Sequence, residues 1–469
     1  FRVMFDEFTG PEGAASVSTD DVFTLRETID VPTQDSDLSA DALPELNTGN
    51  LLTIPAWEGR QLWFTINSKK LTPGTWLAKI RLKSLDVQFV ETELEVSIKI
   101  WDVPLAKEQP LKLCNWSGTI KPEGTFEDQT AHGVNLFTST VPPEATFDES
   151  GKITNIDYSD HDIFMAKHAP KGTPLFHSLV KLTGPAEKFS PTWEKAYRSF
   201  IPLWIKHLKE FSYGYESFAF YPQDEIGLEH GKHVAVFMKW AKLVREIDPG
   251  IRIYANPVAH ITMEQLEEIE PFVDIWTPLQ THIYPKEKLE FIHATKKPLW
   301  NYDPANNAKH LSPLVYYRGQ SWMSWHYGHT GIGFFHYFGG AKFWFQPEAG
   351  FEYAMIYEGK GVVTSKRWEA VRDGVEDFTL LQTLKMAADA AEKTGSHKEL
   401  VNKARILLNE KATLISDFSK GDNFKVIDIG KYGKAGARKM ADQQLEMINS
   451  VRREIAELLC QLQKKQKRN

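Results

Sequence analysis

Between Glu91 and Trp101 the chain alternates without a slip, with Thr92, Leu94, Val96, Ile98 and Ile100 against Glu91, Glu93, Glu95, Ser97 and Lys99. A period of two gives a strand with one face in a core and the other in water. The runs 62–66 and 75–82 are also β-prone, the second opened by the turn chemistry of Pro73-Gly74. Residues 1–104 are therefore expected to form an antiparallel β-sandwich, with Trp101-Asp102-Val103-Pro104 as its exit. The chain opens on Phe1, in what reads as the middle of a domain. The sandwich is expected to be incomplete at that end, with any export signal lost upstream.

From residue 111 the rhythm changes. Short apolar runs at 112–117, 134–139, 174–180, 217–222, 251–256, 273–278, 299–303 and 331–337 alternate with amphipathic stretches at 191–211, 231–247, 262–271 and 286–295. In the second stretch Val234, Phe237, Ala241, Val244 and Ile247 recur at steps of three and four, and Asp248-Pro249-Gly250 stops it. Thr262 and Gln265 have the spacing of a capping box. Eight strands alternating with helices predict an α/β domain, a (β/α)8 barrel over 111–364. Residues 119–173 carry no apolar helical pattern, so the first two connections are expected to be long loops. Residues 365–469 read as a C-terminal helical region packed on the barrel. Leu445, Ile448, Val451, Ile455, Leu458 and Leu462 trace a stripe there; at under four heptads it favours a packed helix over a coiled-coil arm.

A β/α barrel carries its active site at the C-terminal ends of its strands. The fourth predicted strand rises through Tyr221 and ends in Asp224-Glu225, with Gly227 just after. Strand two ends in Thr138-Ser139-Thr140, five in Asn256-Pro257, six in Trp276-Thr277-Pro278, seven in Trp300-Asn301-Tyr302-Asp303 and eight in His336-Tyr337. Carboxylates, amides and aromatics converging on one rim describe a sugar pocket, lined by Tyr221, Asn256, Trp276, Trp300, Tyr302, His336 and Tyr337. Two carboxylates can divide acid and base work when their environments push the pKa values apart. Adjacent side chains on a strand face opposite ways, so both serve one pocket only if the chain leaves strand geometry at Asp224; Pro222 favours that departure.

Composition narrows the classes. A net charge of −7 argues against nucleic acid; the basic tail Lys464, Lys465, Lys467 and Arg468 reads as a solvated helix end. Two cysteines, Cys114 and Cys460, make neither a disulfide framework nor a thiolate metal site. No apolar run reaches the length of a membrane span. The pairs His230/His233 and His326/His329 are three apart but lack the glutamate-containing spacing of a zinc protease. Neither a metal nor a cofactor is expected. The 14 Trp, 15 Tyr and 28 Phe suit a protein that stacks sugar faces.

The segment from Ser365 to Phe378, with Arg372-Asp373-Gly374-Val375-Glu376-Asp377 at its centre, resembles the signature of the glycoside hydrolase family 123 catalytic domain, also known as domain of unknown function 4091. Pro73-Gly74-Thr75-Trp76, the Trp101–Pro104 exit and Asp224-Glu225 support the resemblance, which runs from about 60 to 380. It implies a retaining exo-acting β-N-acetylgalactosaminidase in which the substrate's 2-acetamido oxygen attacks the anomeric carbon to give an oxazoline. Asp224 would orient the acetamido group and Glu225 would act as acid and then base. The charges of the signature itself, at helical spacings, read as a structural ion-pair network fixing the helix to the barrel. Two rivals stand beside this reading: the same fold on a glycan without acetamido assistance, with Asp303 as nucleophile, and a non-catalytic glycan-binding protein. The partner expected is a glycan, met outside the cytoplasm, by a monomer or a dimer.

Overall fold

The computed structural model describes all residues except 34–36, 47–48, 86–90, 104, 117–121, 140, 171, 177–180, 228–230, 259, 280–285, 304–307, 346–352, 418–428 and 467–469. Pro104, Thr140, His230, Lys467, Arg468 and the end of the expected strand 174–180 lie outside the described residues. The fold is mixed α/β. Phe1–Glu108, Asn306–Met323 and Phe338–Asn469 form one unit, and Gln109–Ala305 with Ser324–Tyr337 the other.

The first unit opens with strands β1 (Arg2–Phe5), β2 (Phe23–Pro32), β3 (Leu38–Leu43), β4 (Gln61–Ile66), β5 (Gly74–Lys83) and β6 (Thr92–Ile100). The last three coincide with the β-prone runs of the sequence. β1, β5 and β6 form one antiparallel sheet, while β2 pairs antiparallel with β3 and β4 in another. Side chains of both sheets share apolar clusters: Phe23 and Phe64 meet Trp76 and Ala78, and Leu25 meets Val3 and Ile80.

The second unit holds β7 (Lys112–Trp116), β8 (Leu136–Ser139), β9 (Glu144–Phe147), β10 (Ile153–Asp157), β11 (Thr173–Phe176), β12 (Lys181–Thr183), β13 (Ala219–Phe220), β14 (Tyr254–Ala255), β15 (Ile275–Trp276) and β16 (Gly331–Phe335). Its helices are α1 (Thr125–Ala131), α2 (Ser159–His168), α3 (Pro191–Glu210), α4 (Lys232–Ile247), α5 (Met263–Ile269) and α6 (Lys286–Ala294). Parallel pairing runs β16-β7-β8-β11-β13. From there Phe220 bridges Ile253, β14 pairs β15, Trp276 bridges Leu299 and Trp300 bridges Gly331 of β16. The pairings thus return to their start. Every predicted strand has a counterpart, the seventh as bridges at Leu299, Trp300, Tyr302 and Asp303. The four predicted helices appear as α3 to α6, and the Thr262–Gln265 capping box is formed.

Residues 119–173 correct the sequence reading, for they contain α1, α2, β9 and β10 as well as β8. The buried residues of α2 are His161, Met165 and His168. Their spacing is helical, but histidines supply two of the three positions, and an apolar pattern cannot register them.

Strand alternation sorts the core of this unit into two layers. Cys114, Leu136, Leu175, Ala219, Tyr221, Tyr254, Ile275 and Trp300 form one cluster. Their neighbours Phe176, Phe220, Ile253, Ala255, Trp276 and Leu299 join a second with the buried faces of α3 and α4.

The chain continues through α7 (Gly319–Tyr327), β17 (Tyr357–Glu358), β18 (Val362–Ser365), α8 (Lys366–Lys393), α9 (Lys398–Ile406), α10 (Ala412–Asp417) and α11 (Ile429–Gln466). In the first unit β18 pairs antiparallel with β3, joining Thr364 to Leu43. Three of the signature charges on α8, Arg367, Glu369 and Asp377, are buried in ion pairs, and their partners lie in this unit. Arg367 meets Asp41 of β3 at 2.9 Å, Arg318 meets Asp377 at 2.7 Å, and Arg372 meets Glu369 at 2.7 Å. Arg452 of α11 and the Trp322 indole also donate to Asp377.

Candidate active site

Beyond β13 the backbone abandons the extended form. Glu225 sits in the left-handed region at φ 46° and Gly227 at φ 110°. For a glutamate that conformation costs roughly 1–3 kcal/mol and persists only where its surroundings hold it. Here several contacts do. The Glu225 N–H donates to Asn256 Oδ1 at 3.0 Å. The Asp224 carbonyl accepts from Gln223 Nε2 at 3.0 Å and faces His233 Nδ1 at 3.2 Å. Val258 N–H donates to Ile226 O at 2.9 Å, fixing the far end of the turn. Gly227 is required both by its φ and by space, since a Cβ would lie 3.1 Å from Val258 O and from Ile261. Consecutive carboxylates that a strand would send to opposite faces thus stand on one turn.

The two acids have different surroundings. Asp224 Oδ1 accepts from the Tyr221 hydroxyl at 2.5 Å and from Asn256 Nδ2 at 3.0 Å. Glu225 Oε1 accepts from the Tyr302 hydroxyl at 3.1 Å. Burial and then the neighbouring Asp224 charge raise the Glu225 carboxyl above its ordinary value, outweighing the Tyr302 bond and His233, which lower it. Burial lifts the Tyr221 and Tyr302 hydroxyls far above their usual range, so both remain neutral donors.

Of the residues expected to line a pocket, Tyr221, Asn256 and Tyr302 meet the carboxylates directly. Trp300 lies beneath, 6.1 Å from the Tyr254 ring in the inner cluster. Trp276 does not join them: strand alternation turns it to the helix side, where its indole donates to Thr295 at 3.2 Å. Tyr337 is buried and donates to Asp128 of α1 at 2.7 Å. His336 follows β16 and is half-buried. Two aromatics escaped the sequence reading. Tyr254 packs edge-on to Tyr221 at 4.6 Å, and Trp116 ends β7 with its ring 5.8 Å from Tyr302. Counting back by two from Asn256 would have found Tyr254. The signal for Trp116 is Gly333, where a Cβ would meet the indole at 2.4 Å.

Metal-ligand geometry occurs elsewhere, at His161 and Asp162 of α2 and His207 of α3, whose ligand atoms lie within 4.8 Å of one another. His161 Nε2 accepts from the Trp204 indole at 3.0 Å, which puts the ring proton on Nδ1, facing Asp162 at 3.1 Å. That tautomer satisfies the cluster with hydrogen bonds and removes Nδ1 as a ligand atom. His233 is engaged at the carboxylate turn. His329 is buried, with Nδ1 accepting from Asn301 at 2.7 Å, and burial followed by His293 pushes its imidazole down to about 3.

An acid raised by burial beside a second, hydrogen-bonded carboxylate, set at the end of a parallel strand, is an arrangement suited to acid–base chemistry. Residues 178–384 match the family model for the glycoside hydrolase 123 catalytic domain, a span that takes in Asp224, Glu225, Asn256, Tyr302 and the α8 signature. A family 123 glycoside hydrolase from Clostridium perfringens, solved for the details of glycolipid glycan hydrolysis, superposes with a TM-score of 0.71 at 13% identity, covering 100% of this chain and 90% of that one. The two share a fold. A β-D-glucuronidase of Dictyoglomus thermophilum (11% identity, 79% and 68% coverage) and a xylanase of Cellvibrio japonicus (8%, 80% and 88%) align at TM-scores of 0.33 and 0.37, too low to carry an argument. No curated protein matches the chain by sequence.

Proposed function

We propose that this chain is a retaining exo-glycosidase that releases terminal β-linked N-acetylgalactosamine, or a related 2-acetamido sugar, by substrate assistance. The observation that carries the reading is that both carboxylates stand on one turn, at Asp224 and Glu225. An enzyme with its own nucleophile places two carboxyl groups on either side of the anomeric centre, about 5–5.5 Å apart. In this reading consecutive residues approach from one side, and the 2-acetamido oxygen, rather than Asp303, supplies the nucleophile.

In this scheme Asp224 Oδ1 is committed to Tyr221 and Asn256, and Oδ2 accepts the acetamido N–H of the sugar. The acetamido oxygen attacks C1 while Glu225, protonated, gives its proton to the departing glycosidic oxygen. The resulting oxazoline is opened by water, whose proton returns to Glu225. A raised carboxyl suits a group that must be an acid first and a base second. Trp116 and Tyr302 offer ring faces to the sugar, with Trp300 packed beneath them in the inner cluster. We take the closed parallel pairings to be a (β/α)8 barrel with this turn on its C-terminal rim, preceded by a β-sandwich and followed by a helical region. A glycan substrate would be met outside the cytoplasm.

The test is hydrolysis of aryl β-N-acetylgalactosaminide beside the β-N-acetylglucosaminide and the β-galactoside. Selective cleavage of the first, inhibited by an oxazoline mimic and reduced about 10²–10⁴-fold in Glu225→Gln, is the expected outcome. Equal cleavage of the β-galactoside would sink the acetamido role.

A further inference from the structure

Asn256 was expected to bind sugar, yet it is 2% exposed and both ends of its amide are spent inside the protein. Nδ2 donates to Asp224 Oδ1 at 3.0 Å and Oδ1 accepts the Glu225 N–H at 3.0 Å. Only one orientation of the amide satisfies both contacts, because the carboxylate needs a donor and the peptide N–H an acceptor. The backbone beneath it is pinned from both sides. Thr277 N–H donates to Ala255 O at 2.7 Å, Pro257 bridges Ile226, and Leu279 N–H donates to Pro257 O at 3.1 Å.

We propose that Asn256 is a positioning residue that sets both carboxylates at once, steering the Asp224 side chain through its donor and holding the left-handed Glu225 backbone through its acceptor. This rests on the catalytic reading of Asp224 and Glu225 given above. Neither aspartate nor leucine can replace it, although both match its size: one lacks the donor and the other lacks both groups. The amide also acts on charge, because a carboxylate at 256 would stand against Asp224 and beside Glu225. Among the described residues, the other polar groups at this turn are Tyr221, Tyr302, His233 and Gln223. In Asn256→Asp the added negative charge raises the Glu225 carboxyl further.

The experiment compares wild type with Asn256→Asp and Asn256→Ser, both confirmed folded by thermal melting. Two readouts are taken: kcat and KM against pH on the aryl 2-acetamido glycoside, and the Glu225 carboxyl titration by 13C NMR without substrate. The expected result is a kcat lower by roughly 10–100-fold with KM within threefold of wild type. In Asn256→Asp the alkaline limb of kcat/KM and the Glu225 titration should both move to higher pH. A rise in KM with kcat intact would make Asn256 a sugar contact and overturn the proposal, as would an unmoved titration in Asn256→Asp. If wild type cleaves none of the glycosides, the substrate reading fails while the titration still decides the role of Asn256.

Discussion

Tyr302 gives the sharpest test of which carboxylate is the acid. Its hydroxyl bond to Glu225 Oε1 favours the ionised carboxylate and opposes the rise caused by burial and Asp224. Removing that donor in Tyr302→Phe should raise the Glu225 carboxyl further. In the proposed mechanism the protonated form acts on the leaving oxygen, so activity would be lost as pH climbs through this value. The alkaline limb of kcat/KM should therefore shift to higher pH in the mutant, read from a pH–rate profile on the aryl substrate. A limb that stays put or moves down would assign the acid elsewhere. At this scale the convergence of Tyr221 and Tyr302 on Asp224 and Glu225 could be read from the sequence, because strand ends announce themselves by the switch from apolar to polar. The role of Asn256 could not, since whether an amide is spent inward or offered to solvent depends on a turn 31 residues away in sequence.

Elements explain what the residue list missed. The alternation Ile275/Trp276 and Leu299/Trp300 places Trp300 in the inner cluster and Trp276 against the helices, though both tryptophans end predicted strands. Extending the period of two one step further would have separated them. The eight strands were legible because each is a short apolar run, and four of the connections between them carry amphipathic helical patterns. α2 was not, because its buried face is made by His161 and His168 around Met165. On β16 the small residue matters as much as the large ones. Gly333→Ala would drive a methyl into the Trp116 indole, which must shift against Tyr302. A destabilisation of about 1–3 kcal/mol is expected, together with a raised KM, measured by denaturant melts and steady-state kinetics. An unchanged KM would remove Trp116 from the sugar site.

Across the whole molecule the α8 signature holds the first unit together. Burial alone would raise the Asp377 carboxyl, but Arg318 and Arg452 outweigh it and hold it below its ordinary value. A carboxyl depressed in the folded state contributes stability above its unfolded value near 3.9, and loses it as pH falls through the folded value. Acid melts below about pH 4 should therefore narrow the gap between wild type and Asp377→Asn. At neutral pH that mutant leaves buried Arg318 with only its longer contact to Asp373 at 3.6 Å and should cost about 3–5 kcal/mol, measured by urea unfolding; a loss under 1 kcal/mol would mean the network is dispensable. The pairing of β3 with β18 bears on how the chain is made. A ribosome releases Leu43 about 320 residues before Thr364, its partner across the sheet. At 5–20 residues per second that is roughly 15–60 s during which β3 offers an open edge to any passing strand. Asp41, which buries against Arg367 in the finished sheet, puts a charge on that strand during the wait, and charge on an open edge disfavours pairing with a foreign strand.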